Sequence, residues 1–160
     1  MALHAFLKLK GQKQGDIKGG VTQKGREGRI LVIAAEHEVA SPRDVATGHA
    51  TGRRVHSPFV ITKELDRASP LLYNALITNE TITEWELQFF AVAANAAEVP
   101  RYTVKLANAN IADIKFHQPN TQHQDLAKYS EYEEVSFTYQ KITWTWNDGG
   151  ITAQDDLTFV

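Results

Sequence analysis

The sequence predicts a mainly β, antiparallel fold, a barrel or a two-sheet sandwich with one short α-helix. Three observations carry this. Apolar and polar residues alternate with period two through most of the chain, which puts successive side chains on opposite faces of a strand. One segment near residue 70 breaks into a helical pattern. Asn147-Asp148-Gly149-Gly150 is a strong hairpin signal between two strand-like runs. About seven strands are expected on this pattern.

The elements follow in order. Residues 5–9 set Leu7 and Leu9 on one face, with Lys8 and Lys10 on the other. Residues 11–28 are polar and glycine-rich and read mostly as loop. Within residues 29–39, Ile30-Leu31-Val32-Ile33-Ala34-Ala35 is apolar on both faces, as in a strand covered on both sides once the protein is assembled. Residues 40–52 have no apolar period and contain Pro42, Asp44, Gly48 and Gly52. Structureless loops of that length are uncommon in compact domains and are often functional. Strand character resumes over 55–62, where Pro58 implies an edge or a bulge because proline cannot donate to the ladder.

The helix is expected from about Ser69 to Thr78. Ser69 suits the N-cap and Pro70 the first helical position. Leu71, Leu72, Ala75 and Leu76 form one apolar stripe, and Asn79 suits the left-handed turn beyond the end. A buried helix that plugs one end of the sheet structure fits this pattern.

Long strands come next. Residues 81–92 carry Trp85, Leu87 and Phe89 on one face against Glu84, Glu86 and Gln88. Residues 101–117, after Pro100, hold one parity through Tyr102, Val104, Leu106, Ile114 and Phe116, enough for two strands or one bent strand. A polar loop spans 118–128. Over residues 131–146, Val135, Phe137 and Tyr139 share one parity while Ile142, Trp144 and Trp146 have the other. The slip near Gln140-Lys141 predicts a β-bulge or a strand that changes faces. Residues 151–159 would be the closing strand.

Composition narrows the function. The 160 residues fit one domain with a real core and no staples. The absence of cysteine excludes disulfides, thiolate zinc sites and cysteine nucleophiles. Seventeen basic against 19 acidic residues argue against nucleic acid as a partner and let copies of the chain pack without strong repulsion. Lys8 and Lys10 interrupt the apolar N-terminal run, so no signal peptide is expected, and no apolar stretch is long enough to imply membrane insertion.

Familiar chemistry does not assemble. Gly20 to Gly25 has P-loop glycine spacing, but Arg26-Glu27 stands where Lys and Ser or Thr would bind phosphate and magnesium. The six histidines show no helical metal-ligand spacing, and Glu36 and Glu38 face away from His37 on a strand. His56-Ser57 is not a nucleophile elbow. Glu131, Glu133 and Glu134 read as a charged strand start and not as a glycosidase pair. No catalytic residue, metal or cofactor is expected. Trp85, Trp144 and Trp146 suit core or subunit-interface burial, and a stacking platform for sugars or single-stranded nucleic acid is the alternative.

Three stretches resemble the haemolysin-coregulated protein (Hcp) family, the tube subunits of bacterial type VI secretion systems. They are Ala5-Phe6-Leu7-Lys8-Leu9 with Asp16-Ile17-Lys18-Gly19 and Arg26-Glu27-Gly28-Arg29-Ile30; Thr51-Gly52-Arg53-Arg54-Val55-His56-Ser57-Pro58-Phe59 through Thr62-Lys63-Glu64-Leu65-Asp66 to Ser69-Pro70-Leu71-Leu72; and Tyr139-Gln140-Lys141-Ile142-Thr143-Trp144-Thr145-Trp146 with Asp148-Gly149-Gly150. The resemblance implies a two-sheet β-barrel that closes into homo-hexameric rings. Such rings stack into a tube, carry a spike protein, move within a contractile sheath and chaperone small effectors in the lumen. It implies a structural protein that is not an enzyme, made in the bacterial cytoplasm and then secreted through the machine. A single domain over residues 1–160 without a C-terminal toxin is the corresponding expectation. On this reading Pro42, Arg43, Asp44 and Gly48 are candidates for ring stacking, and Glu36 and Glu38 for the lumen face. The alternative is a monomeric β-barrel that binds a sugar or single-stranded nucleic acid.

Overall fold

The computed structural model describes residues 1–158. Its described residues form strands β1 (Ala5–Gly11), β2 (Gly15–Ile17), β3 (Ile30–Val32), β4 (Ala34–Glu36), β5 (Val39–Ala40), β6 (Val55–His56) and β7 (Phe59–Glu64). The single helix α1 (Ser69–Ile77) follows. Then come β8 (Ile82–Val92), β9 (Glu98–Ala107), β10 (Asn110–His117), β11 (Tyr132–Thr138), β12 (Lys141–Trp146) and β13 (Ile151–Asp156). A large sheet runs β13-β12-β9-β8-β1-β2, with β3 also on β1; a second runs β10-β11-β7-β4; β5 and β6 form a separate ribbon. All pairings between named strands are antiparallel.

The strand count exceeds the seven expected because several single runs are each two strands. Residues 30–36 pass from the large sheet to the small one at Ile33, whose N–H donates to the Thr62 carbonyl at 2.9 Å. The 101–117 run breaks at Asn108, at φ 48°, and crosses the same way. The parity slip predicted near Gln140 is neither a bulge nor one strand turning over. The chain leaves the small sheet after Thr138 and enters the large one at Lys141. Both parities are therefore core-facing, each toward the opposite sheet, which is why Phe137 and Ile142 are both fully buried. Pro58 separates β6 from β7, and residues 11–28 include the short β2. The closing strand ends at Asp156; Phe159 lies outside the described residues.

The core fills the space between the sheets. Leu7, Leu9, Leu87, Leu106 and Ile142 meet Ile61, Val135 and Phe137, all nearly or fully inaccessible. Each such side chain contributes about 1.5–3 kcal/mol of burial. Trp85 is held between the Phe59 and Phe137 rings, edge-on at 5.1 and 5.5 Å. Helix α1 buries Leu72 and Ala75 and packs on β10, while Leu71 remains exposed. Ser69 is not the N-cap. Ala68 occupies that position, and Ser69 Oγ turns inward to Glu133 and Lys63. Asn79 takes the expected left-handed conformation at φ 53°.

Three polar groups lock this frame. Glu80 Oε2 accepts from the Lys13 and Gln14 backbone N–H groups at 2.9 and 2.8 Å. Burial pushes the Glu80 carboxyl up, but those donors outweigh it and hold it below the usual range. A Cβ on Gly11 would overlap that oxygen, so any larger residue there would push the Glu80 carboxylate off its donors. Arg26 lies over the Phe90 ring at 3.8 Å and pairs with Glu98 at 2.8 Å. The segment with P-loop glycine spacing is thus a packed structural loop.

Candidate functional site

The region that stands apart from this frame is the ribbon that carries residues 40–52. It is an ordered arm, not a structureless loop. Beyond β5 and β6 the two limbs stay paired: Thr51 N–H donates to the Pro42 carbonyl at 3.0 Å and Asp44 N–H to the His49 carbonyl at 2.8 Å. The tip is a tight turn. Gly48 N–H donates to the Asp44 carbonyl at 2.8 Å, the Asp44 carboxylate accepts from Ala46 N–H at 2.8 Å, and Gly48 takes φ 75°. That positive φ is where glycine is at ease. Residues 38–53 are all exposed, and Val45 at the tip touches nothing that shields it. Pro42, Arg43, Asp44 and Gly48 therefore share one projecting element.

Glu36 and Glu38 are both exposed, and the alternation turns His37 inward onto the Phe59 ring at 5.0 Å. Glu36 lies on β4, the edge of the small sheet, outside the ribbon tip. The structure thus separates the two candidate groups: the stacking candidates on the arm, the lumen candidates at its root.

The root itself is a polar chain that sequence reasoning missed. His37 Nε2 and His56 Nδ1 each lie 2.7 Å from the Tyr139 hydroxyl. His56 Nε2 lies 2.6 Å from Asp155 Oδ2, and Arg54 Nη2 donates to Asp155 Oδ1 at 2.6 Å. The hydrogen bond from Arg54, then that from His56, holds the Asp155 carboxyl at about 2. Burial, then the nearby Asp155 charge, pushes the Tyr139 hydroxyl up to about 12. Both nitrogens of His56 are engaged, so it is not placed to act as a base for Ser57. The hydrogen-bonded partners are up to 102 positions apart in sequence, so His37, Arg54, His56 and Tyr139 are visible there singly but their convergence on Asp155 is not.

A second buried cluster lies under α1. Lys63 and Glu133 face each other in register across β7 and β11, with Nζ to Oε1 at 2.7 Å, and both are fully buried. Lys63 also reaches Asp66 at 3.0 Å. Glu133 is therefore not part of a solvated strand start, as its neighbours Glu131 and Glu134 suggested. Among the described residues, no group of three His, Cys, Asp or Glu side chains is arranged to hold a metal ion.

Apolar side chains are left uncovered on several elements, among them the ribbon and the large sheet. The ribbon exposes Val39, Val45 and Val55; the large sheet exposes Val92, Val99, Trp146 and Ile151. Trp144, Trp146, Phe89 and Tyr102 line an open cavity of about 420 Å³ together with Arg101 and Glu36. Trp85 is core, as expected, whereas Trp146 is 43% exposed in the isolated chain.

The family described as "Type VI secretion system effector, Hcp" matches residues 6–146. The chain belongs to the Hcp family of type VI secretion proteins. It is 41% identical to the "Major exported protein" of Pseudomonas aeruginosa strain PAO1, over 98% of this chain and 96% of that one. A crystal structure of an Hcp protein superposes with a TM-score of 0.89 at 32% identity, covering 96% of this chain and 97% of the other. The Hcp1 protein from E. coli EAEC 042 superposes at 0.84 with 37% identity, covering 98% and 99%. Hcp is a family of structural secreted proteins, so the arm and the exposed apolar surfaces, not a catalytic cleft, are where its function is to be sought.

Proposed function

We propose that this chain is a tube subunit: six copies close into a ring, rings stack into a tube, and the tube leaves the bacterial cytoplasm through the type VI machine. The observation that carries this reading is the pair of unlike uncovered apolar surfaces on a chain of this family. A closed ring is made by joining one patch to a different patch on the next copy. The ribbon valines are one such patch, and the Trp146–Ile151 corner of the large sheet is another. The open edge of β13 offers unpaired backbone groups beside the second.

Within that assembly Pro42, Arg43, Asp44 and Gly48 make the contacts between stacked rings, since they occupy the part of the arm farthest along its own pairing. Arg43 and Asp44 carry opposite charges, and contacts of that kind weaken with salt. Glu36 and Glu38 face the lumen, where small effectors are carried. The spike protein caps the tube and a contractile sheath drives it.

Native mass spectrometry and electron microscopy of the purified protein test the reading together. A six-subunit mass and ring-shaped particles are expected; a monomer at micromolar concentration overturns it. Removal of residues 40–50 separates the two levels. Rings that persist without forming tubes support the assignment of the arm to stacking, and tubes that persist refute it.

A further inference from the structure

The chain His37–Tyr139–His56–Asp155 has a geometry that neither ring closure nor stacking requires: two histidines share one hydroxyl. Tyr139 is the hinge, because its one hydroxyl serves both histidines at 2.7 Å. A hydroxyl has one proton to give. With both histidines neutral, His56 Nε2–H donates to Asp155, the Tyr139 hydroxyl donates to His56 Nδ1, and His37 Nε2–H donates to the Tyr139 oxygen. With one proton added to the pair, both His56 nitrogens can donate, Nδ1–H to the Tyr139 oxygen; His37 then takes its other tautomer, with its proton on Nδ1, and the hydroxyl turns its own proton to the bare Nε2 of His37. In both states the hydroxyl and the two ring nitrogens that face it are satisfied, and His56 Nε2 keeps Asp155. A second proton makes both facing nitrogens donors. The hydroxyl proton then has no acceptor, and two cations stand with ring centres 6.3 Å apart.

We propose that this chain is a two-proton latch on the ribbon, closed while the histidine pair carries at most one proton and opened when it takes the second. The latch holds the ribbon because His37 and His56 flank its two ends, while Tyr139 and Asp155 belong to the sheet frame. The groups facing His37 are His56 from β6, Tyr139 from the corner between β11 and β12, Phe59 from β7 and Trp144 from β12. Glu36 and Arg101 line the same cavity, and Glu38 adjoins it in sequence. His56 faces Tyr139 and Asp155, whose carboxylate Arg54 also holds.

The neighbouring groups keep their states while the latch works. Asp155, at about 2, stays charged and Tyr139, at about 12, stays protonated. Burial, then the adjacent His56, holds His37 below its ordinary 6.5. A proton on His37 is therefore harder to add than one on an open histidine.

Hydrogen exchange of the intact protein tests this, with rates corrected for the intrinsic effect of pH. Between about pH 7.5 and about pH 5, amides in residues 39–56 are expected to exchange about tenfold faster, with β1 and β8 unchanged. In His37→Gln, whose amide can donate or accept but does not titrate, the ribbon should stay protected across the range. No acid step in the native chain overturns the proposal, as does an unchanged step in His37→Gln. If that variant fails to fold, ring-proton NMR of the native chain decides. Two separated histidine titrations with ribbon exchange following the lower support the latch; a ribbon step that follows neither refutes it.

Discussion

Two polar clusters pin the same frame, and they differ in what surrounds them. Lys63 and Glu133 sit under α1 with no solvent contact; Asp155 sits at the ribbon root with about one fifth of its side chain open to water. Lys63 is ringed by acceptors: Glu133 at 2.7 Å, Asp66 and the Glu64 carbonyl at 3.0 Å, and Ser69 at 3.1 Å. It has no second arrangement to adopt. Asp155 ends a chain of rotatable or tautomeric donors with two forms in which the shared hydroxyl is satisfied. Complete burial makes a permanent joint, and partial burial with histidine makes one that can change state.

The comparison is broken most severely at the buried pair. Lys63→Met should cost about 3–5 kcal/mol, because it leaves the Glu133 charge buried with no cation beside it and only the Ser69 hydroxyl on it. Denaturant unfolding measures this, and adding Glu133→Leu to the same chain should restore most of the loss. Asp155→Asn should cost about 2 kcal/mol near neutral pH, the scale of hydrogen bonds to a charged group. The folded carboxyl lies at about 2 against an ordinary 3.8, so its contribution is present above pH 3.8 and fades as pH falls through about 2. The gap between native and variant unfolding midpoints should close over that window. Tyr139→Phe, which removes the hydroxyl that both histidines share, should cost about 1 kcal/mol in denaturant unfolding. Arg43→Ala on the exposed arm should change stability by less than about 0.5 kcal/mol in denaturant unfolding; if the proposed stacking role holds, sedimentation should show assembly less sensitive to salt.

Much of the fold was legible because strands write their burial at period two. Leu7 and Leu9, Trp85 and Leu87, and Val135 and Phe137 announced core faces that the structure bears out. The hairpin at Asn147-Asp148-Gly149-Gly150 was equally plain, and Gly149 and Gly150 both take positive φ there. The crossings between sheets were visible only as anomalies: a run apolar on both faces at 30–35, an overlong run at 101–117, a parity slip near Gln140. Each signal was real, but alternation does not say which sheet a strand joins. At the site, the alternation of Glu36, His37 and Glu38 was readable, and so was the unusual length of residues 40–52. The ordering of that segment was not, since its ladder is backbone pairing with no apolar signature.

The sequence by itself determined the family, the β class, the helix and the outward faces of Glu36 and Glu38. Those follow from local spacing and from motifs contiguous in the chain. Only the tertiary structure decided that Lys63 meets Glu133 and that His37 and His56 share Tyr139. Their partners lie 70, 102 and 83 residues away. A carboxylate or a hydroxyl looks the same in sequence whether it faces water or a buried cation, and strand register, set by the whole sheet, chooses between them.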